Sequence, residues 1–167
     1  MTEAQKPTSY DVDGAEALTP AIMTLLNAFP GLPAGDEITF STLGAESGKA
    51  MFPITGAIIE SEARDILGGV TQICLYPFFV VYRAAGLGEA RKAVIKEWLD
   101  DLGRWLEGQS IRVNGRETQL ERLPELGGSR TLLEIRRQTP AYLDSTAEQV
   151  EDWTIYISAR YRNEYKE

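Results

Sequence analysis

The fold is decided by the densest apolar run in the 167-residue sequence, Ile73-Cys74-Leu75-Tyr76-Pro77-Phe78-Phe79-Val80-Val81-Tyr82. Both alternating sets of side chains in this run are apolar, so it predicts a β-strand that is covered on both faces at the centre of a sheet. Pro77 has no backbone N–H, which predicts a bulge or a sheet edge at that point. Cys74 is the single cysteine, and its apolar neighbours indicate a buried thiol without a disulfide partner.

After this strand the sequence changes to helical spacing. Apolar residues at 94, 95, 98, 99, 102, 105 and 106 form one stripe, and charged residues that include Asp100 and Asp101 lie opposite it. The pattern predicts an amphipathic helix over 87–106, with Gly108 as the residue that ends it. We expect Asp100 and Asp101 to be solvated.

Strand signals follow the helix. The segment Ile111-Arg112-Val113 before Asn114-Gly115 predicts a hairpin with a two-residue turn, whose second strand runs from Glu117 to Leu120. Further strands are predicted over 132–137 and 151–162. In the last strand apolar residues alternate with polar ones, which predicts one buried side and one side that faces water.

The sequence before the central run is less regular. Residues 1–13 have no apolar period and predict a flexible N-terminal arm, followed by a single domain over 14–167. Thr19-Pro20 predicts the N-cap and first residue of a short helix that ends before Pro30-Gly31. A strand is predicted over 37–43. The segment 52–62 is also predicted as a strand, although its later, charged part is compatible with a helix as well.

These elements do not alternate in the way that builds a parallel, doubly wound sheet. No internal repeat is visible, and the length suits one domain. The sequence therefore predicts an α+β fold, a mainly antiparallel sheet with helices packed on one face.

Composition bears on the chemistry. The sequence has no histidine, which removes Ser–His and Cys–His nucleophile pairs, and histidine is also the usual partner of cysteine in zinc sites. The segment 44–50 has three residues between its glycines where a phosphate loop has four, and Gly86-Leu87-Gly88 lacks the third glycine of a dinucleotide site. We predict no enzyme, no cofactor and no metal. The alternative is a small ligand-binding or enzymatic domain that uses carboxylates alone.

Charge and hydropathy limit the partners. The net charge of −8 argues against gripping DNA phosphates, so no sequence-specific nucleic-acid binding is expected. The sequence contains no run of about 18 apolar residues, so no membrane span is predicted. The N-terminus is polar and predicts no export signal. We therefore expect a protein made in the cytosol. Acidity serves solubility in the simplest interpretation; the functional alternative is a repulsive wall along which DNA slides.

One set of exposed residues predicts a subunit interface. Tyr156, Arg160 and Arg162 share the polar side of the last predicted strand, and tyrosine with arginine is enriched where proteins meet proteins. The turn Asn114-Gly115 is a second candidate contact, because a projecting hairpin can reach a neighbouring subunit. A plain solvent-exposed face is the alternative.

Several short motifs carry a family resemblance. They are the Gly68-Gly69 turn, the strand Tyr76–Arg83, the helix end Trp105-Leu106-Glu107, then Leu123-Pro124-Glu125-Leu126, Thr139-Pro140-Ala141-Tyr142-Leu143 and Ala159-Arg160-Tyr161. Over residues 50–163 this succession resembles the minor capsid or tail terminator proteins of long-tailed phages, including prophage-encoded ones.

The resemblance implies a tail-terminator-like α+β fold and a structural role in the virion tail after synthesis in the host bacterial cytoplasm. Tail terminators close the tail tube as a ring, commonly a hexamer, so the implied partners are further copies of the chain, the tail tube protein and the head connector protein. The family has no catalytic residues to carry over. Another neck or head-completion protein of the same assembly is the alternative.

Overall fold

The computed structural model describes residues 9–86 and 88–167, which form ten strands and two helices. In chain order these are β1 (Tyr10–Asp11), α1 (Gly14–Asn27), β2 (Ile38–Phe40), β3 (Gly48–Pro53), β4 (Ala57–Arg64), β5 (Gly69–Ala85), α2 (Glu89–Leu106), β6 (Ile111–Val113), β7 (Arg116–Thr118), β8 (Arg130–Arg137), β9 (Tyr142–Ala147) and β10 (Val150–Lys166). Neither helix has the combination of length and apolarity that crossing a bilayer requires, among the residues described.

The sheet has eight strands and is built on the two longest, β5 and β10. These pair antiparallel in unbroken register from Gly69 opposite Lys166 to Ala85 opposite Val150. Strands β3 and β4 follow one another along the free edge of β5, and β8 and β9 along the free edge of β10. Every pairing except the parallel β2–β3 contact is antiparallel. The predicted α+β class with a mainly antiparallel sheet is confirmed.

Both helices pack on one face of this sheet. The even-numbered side chains of β5, such as Tyr76 and Phe78, and the odd-numbered side chains of β10, such as Ile155 and Ile157, are fully buried beneath α1 and α2. The odd-numbered side chains of β5 on the other face are only partly buried from Ile73 to Phe79. The prediction that β5 is covered on both faces is therefore wrong, because the two described helices lie on the same side.

The sequence predicted a bulge or a sheet edge at Pro77. The β5–β10 ladder has neither at that residue. Pro77 lies opposite Ser158 without a register shift, and its carbonyl accepts a hydrogen bond of 3.1 Å from the N–H of Ile54. In an antiparallel ladder the N and O of one residue point to the same side. The missing N–H therefore faces the junction where the partner of β5 changes from β3 to β4, and no bond to β10 is lost.

The segment predicted as one strand over 52–62 is two strands. Strand β3 ends at Pro53 and β4 begins at Ala57, with the connection between them at Ile54-Thr55-Gly56. Both strands pair with β5, so the apolar residues on either side of the break belong to the same sheet. The strand predicted over 37–43 is confirmed in its middle, as β2.

Helix α1 begins at Gly14, five residues before the predicted N-cap at Thr19. Leu18 belongs to the same buried stripe as Ile22 and Leu25, so the helical spacing extends upstream of Pro20. Pro20 lies inside the helix and is exposed to water. There it removes the backbone bond to the carbonyl four residues earlier, and its ring crowds that carbonyl.

The segment before α1 is held in the sheet. Tyr10 and Asp11 pair with Ile58 and Ala57 of β4, and the Asp11 side chain is 8% exposed. Its carboxylate accepts hydrogen bonds from Arg130 Nε at 2.9 Å, Arg130 Nη2 at 2.7 Å and Tyr161 Oη at 2.8 Å. The predicted flexible arm therefore does not extend through residue 13; residues 1–8 lie outside the described residues.

The Asp11 cluster is electrostatically balanced. Burial raises the pKa of Asp11, but the hydrogen bonds from Arg130 and Tyr161 outweigh burial and leave that pKa below its ordinary value. Burial and the bond to Asp11 raise the pKa of Tyr161. Gly14 is required beside this cluster, because a Cβ there would collide with the Tyr161 hydroxyl and the Asp11 carboxylate.

Helix α2 confirms the predicted stripe except at Val94, whose exposed fraction is 66%. The predicted first residue of the helix, Leu87, lies outside the described residues. Gly108 has a φ of 82° and donates its N–H to the Trp105 carbonyl at 3.0 Å, as expected of a helix-ending glycine. The expectation that Asp100 is solvated is wrong. Asp100 is 4% exposed and accepts hydrogen bonds from Ala141 N at 2.8 Å and Lys96 Nζ at 2.6 Å, so it anchors the chain before β9.

The predicted hairpin at Asn114-Gly115 is confirmed. Both turn residues have positive φ, 50° and 77°, the geometry that asparagine and glycine favour in a two-residue turn. The second strand runs over Arg116–Thr118 rather than from Glu117 to Leu120. The strands predicted over 132–137 and 151–162 are confirmed as parts of β8 and β10.

The β4–β5 hairpin ends in an apolar tip. The Asp65 carboxylate accepts the backbone N–H groups of Leu67 and Gly69, each at 2.8 Å, and so closes the turn. The side chains of Ile66 and Leu67 at this turn have exposed fractions of 101% and 76%. We call these two residues the hairpin tip.

Candidate subunit interface

The face of the sheet opposite the helices carries partly exposed apolar and aromatic side chains, and neither described helix covers it. We call it the helix-free face, and we define it by the odd-numbered side chains of β5 and the even-numbered side chains of β10. Leu75, Pro77, Phe79 and Tyr156 are partly exposed there. Their partial burial comes from neighbouring strands, because no helix packs on this side.

Four aromatic rings form a row across this face. Phe52, Phe79 and Tyr156 lie opposite one another on β3, β5 and β10, with ring centroids 5.2 Å and 5.3 Å apart. Tyr142 on β9 extends the row, with its ring 6.3 Å from Tyr156 at an angle of 9°. Aromatic pairs at these spacings stabilise each other by about 0.5–1.5 kcal/mol beyond their burial. The rings therefore form a packed surface that is partly exposed to water.

A groove of 380 Å³ lies beside the aromatic row. Leu75 and Pro77 are apolar residues of its lining, and Arg160 lies at its side between two carboxylates. Arg160 Nε is 3.3 Å from Glu60 Oε2, and its Nη1 is 3.6 Å from Glu134 Oε1. Because the guanidinium lies within ion-pair distance of both acids, its charge is largely balanced.

The opposite end of the helix-free face is closed by a second ion pair. Arg83 donates from Nε and Nη2 to Asp152 at 2.7 Å and 2.9 Å, and from Nη1 to the Gly44 carbonyl at 3.0 Å. The bond from Arg83 holds the pKa of Asp152 below its ordinary value, and burial opposes this effect less strongly. The glycine-containing loop over 44–48 is thus tied to a guanidinium group through its backbone carbonyl.

The structure brings together three of the five residues predicted to form an interface. Tyr156, Arg160 and Arg162 all project from β10 onto the helix-free face, and Arg162 Nε lies 3.2 Å from Glu164 Oε1. Asn114 and Gly115 lie elsewhere, on the β6–β7 hairpin, which pairs only within itself and contacts α2.

Sequence analysis missed the other members of the aromatic row, Phe52, Phe79 and Tyr142. Phe79 was predicted to be a core residue, but it has the opposite strand parity to the buried Tyr76 and Phe78. The parity was visible in the sequence. Which parity the helices would cover was not, because both sets of side chains in β5 are apolar.

Over residues 9–86 and 88–167, no group of three or more aspartate, glutamate or cysteine side chains is placed to hold a metal ion. A scan against models of known protein families gives no match, and no curated protein matches the sequence.

Proposed function

We propose that this chain is a structural subunit of a phage tail, a tail terminator or head–tail joining protein that caps the tail tube as a ring. In this proposal the helix-free face is the surface that docks onto the tail tube protein. The observation that carries it is the aromatic row, which is partly exposed while the other face of the same sheet is covered by two helices. Large uncovered apolar patches mark protein–protein contact sites.

The chemistry of the helix-free face suits docking to a protein. Tyrosine and arginine are enriched in interface centres, and the face presents Tyr142, Tyr156 and Arg160. The rings are already packed on each other, and Arg160 is already held by Glu60 and Glu134. Docking would therefore cost little side-chain entropy, which favours affinity.

Net charge supports the placement of a ring around a DNA passage. Six copies of a chain with net charge −8 carry −48 together. A lumen lined by part of this charge repels phosphates and lets DNA pass without adhering.

A carboxylate-based enzyme is a weaker proposal for the groove of the helix-free face. Paired-acid catalysis requires one acid that donates a proton and one that stays ionised. The two glutamates of this groove, Glu60 and Glu134, both form an ion pair with Arg160, so neither carboxylate is free for a separate catalytic role.

The test uses the purified protein with the tail tube protein of the same phage genome. Native mass spectrometry and negative-stain microscopy should show a ring of the chain at one end of the tubes. Tyr156→Ser and Arg160→Glu should each weaken this binding at least tenfold. Arg91→Glu, the same charge change at an exposed site on α2, should leave binding unchanged.

Three outcomes would overturn the proposal or part of it. A protein that stays monomeric alone and with the tube protein would defeat the ring. Equal loss of binding in the Arg91 control would defeat the assignment of the helix-free face. Binding to the head connector alone, without the tube, would replace the terminator role with that of another neck protein.

A further inference from the structure

The hairpin tip is an apolar protrusion that the turn itself does not need. Ile66 and Leu67 are the only large apolar side chains at this turn, and they are more exposed than Phe40, Ile54 or Leu143. The turn is closed by Asp65 and by the positive φ of Gly68, so polar residues would serve equally well at 66 and 67. Two adjacent exposed aliphatic side chains indicate a surface that is buried in an assembly.

A groove that matches this tip lies beside α1. Its volume is 640 Å³, and its lining includes Pro20, Phe40, Pro53 and Ile54. Phe40 and Ile54 are each nearly half exposed, at 47% and 46%. We call this the α1 groove. Seven of its ten lining residues are non-polar, whereas six of the nine that line the groove of the helix-free face are polar or charged. The α1 groove is thus the better match for two aliphatic side chains.

The tip cannot fill the α1 groove of its own chain. Gly56 lines the groove at the start of β4, and Ile66 follows the end of β4. The eight residues of β4 span roughly 26 Å at the usual rise of a strand. The only α1 groove that the tip can enter therefore belongs to another copy of the chain.

Each of the two surfaces has one charged side chain without an ion-pair partner among the described residues. At the tip Arg64 pairs with Glu62 and Glu167, whereas Lys166, opposite Gly69 in the ladder, has no ion pair with any described residue. Glu16 is the only charged residue in the lining of the α1 groove, and it too has no ion pair within residues 9–86 and 88–167. Lys166 beside the tip and Glu16 in the groove are thus each available for an ion pair with another subunit.

We propose that the hairpin tip of one subunit inserts into the α1 groove of the next subunit, with Lys166 placed near Glu16. This contact rests on the proposed function, and it specifies how the ring holds together while the helix-free face stays free for the tube. Tip and groove are different surfaces, so the contact is head to tail, the type that closes into rings when the rotation per subunit fits.

The size of the contact predicts how the ring assembles. Burying two aliphatic side chains and the matching groove wall removes on the order of 600 Å² from water, about half of what a stable pair of proteins buries. A single contact of this size is weak, whereas each subunit of a closed ring makes two. We expect assembly to depend steeply on concentration.

Cysteine cross-linking of the full chain tests the contact. Ile66→Cys combined with Ile54→Cys should give a ladder of disulfide-linked oligomers under mild oxidation on a non-reducing gel. Ile66→Cys combined with Leu143→Cys, an equally exposed site on β9, is the matched control and should give at least tenfold less. The native Cys74 is buried and should stay out of the reaction.

A charge swap provides the second measurement. Glu16→Lys should weaken self-association at least fivefold in sedimentation at low salt, and adding Lys166→Glu should restore it. Oligomers without the 66–54 cross-link, or a chain that neither cross-links nor associates at any concentration, would overturn the contact. Cross-linked oligomers that do not bind the tail tube protein would support the tip–groove contact and contradict the proposed function. Rings that cap the tube without the cross-link would support the proposed function and contradict the contact.

Discussion

Replacing Asp11 with asparagine tests whether the chain before α1 is part of the folded core. The substitution keeps the size of the side chain but removes the charge that faces Arg130, and it weakens the acceptor for the Tyr161 hydroxyl. Breaking a buried ion pair from one side typically costs 3–5 kcal/mol. The Arg130 side chain is 18% exposed, so water offsets part of this loss, and we expect about 2–4 kcal/mol.

The measurement is urea and thermal unfolding followed by circular dichroism. A loss of that size lowers the melting temperature by roughly 5–12 °C for a domain of this length. Asp144→Asn is the matched control, because Asp144 is exposed and forms no ion pair within residues 9–86 and 88–167; it should change stability by less than about 0.5 kcal/mol. If Asp11→Asn is as neutral as the control, residues 10–13 are a loose arm and the cluster does not contribute to stability.

Two further predictions concern acid and the β6–β7 turn. The pKa values of Asp11, Asp100 and Asp152 are lowered in the folded chain. Their contribution to the free energy of unfolding is therefore complete above the unfolded pKa of about 3.9 and is lost as pH falls through the folded pKa values. The urea midpoint of unfolding should decrease between pH 5 and pH 2.5, and an unchanged midpoint would contradict this. Gly115→Ala should cost about 1 kcal/mol because φ at Gly115 is 77°. Gly56→Ala, at a glycine without a positive φ where a Cβ would meet only an ordinary contact of 3.6 Å to the Tyr10 ring, should cost only a few tenths in the same unfolding assay. Equal losses would show that backbone strain is not the cause.

Local patterns in the sequence were sufficient for the elements that rely on local chemistry. The period of α2, the helix end at Gly108 and the turn at Asn114-Gly115 each follow from neighbouring residues, and the structure confirms them. The alternation in β10 also predicts which side of that strand meets the core, so Tyr156 and Arg160 were placed correctly on its outer side.

The predictions made from proline positions were inaccurate because the energetic cost of a proline depends on its tertiary surroundings. Pro20 resembles a helix start, yet the buried stripe of α1 begins at Leu18 and the exposed Pro20 is tolerated within the helix. Pro77 resembles a strand edge, yet its missing donor faces the gap between β3 and β4. Which side of a residue lacks a partner depends on strands that are distant in sequence.

Sequence patterns also did not predict that two charged side chains, Asp11 and Asp100, are buried. Asp11 lies in a polar stretch, and Asp100 lies on the charged side of an amphipathic helix. Both are buried because distant groups satisfy them, Arg130 and Tyr161 for the first and the Ala141 backbone for the second. A partner more than thirty positions away leaves no periodic signal near the residue itself.

The pairing of β5 with β10 also determines when the molecule can fold. Val150 pairs with Ala85 and Lys166 with Gly69, so the paired residues are 65 to 97 positions apart in the chain. Closing such long loops costs chain entropy before the contacts between the strands can offset it, which makes folding slow. During synthesis, β5 emerges from the ribosome well before β10 and presents an apolar strand with an unpaired edge, a state that favours aggregation. Chaperones that shield this segment should therefore raise the yield of folded protein.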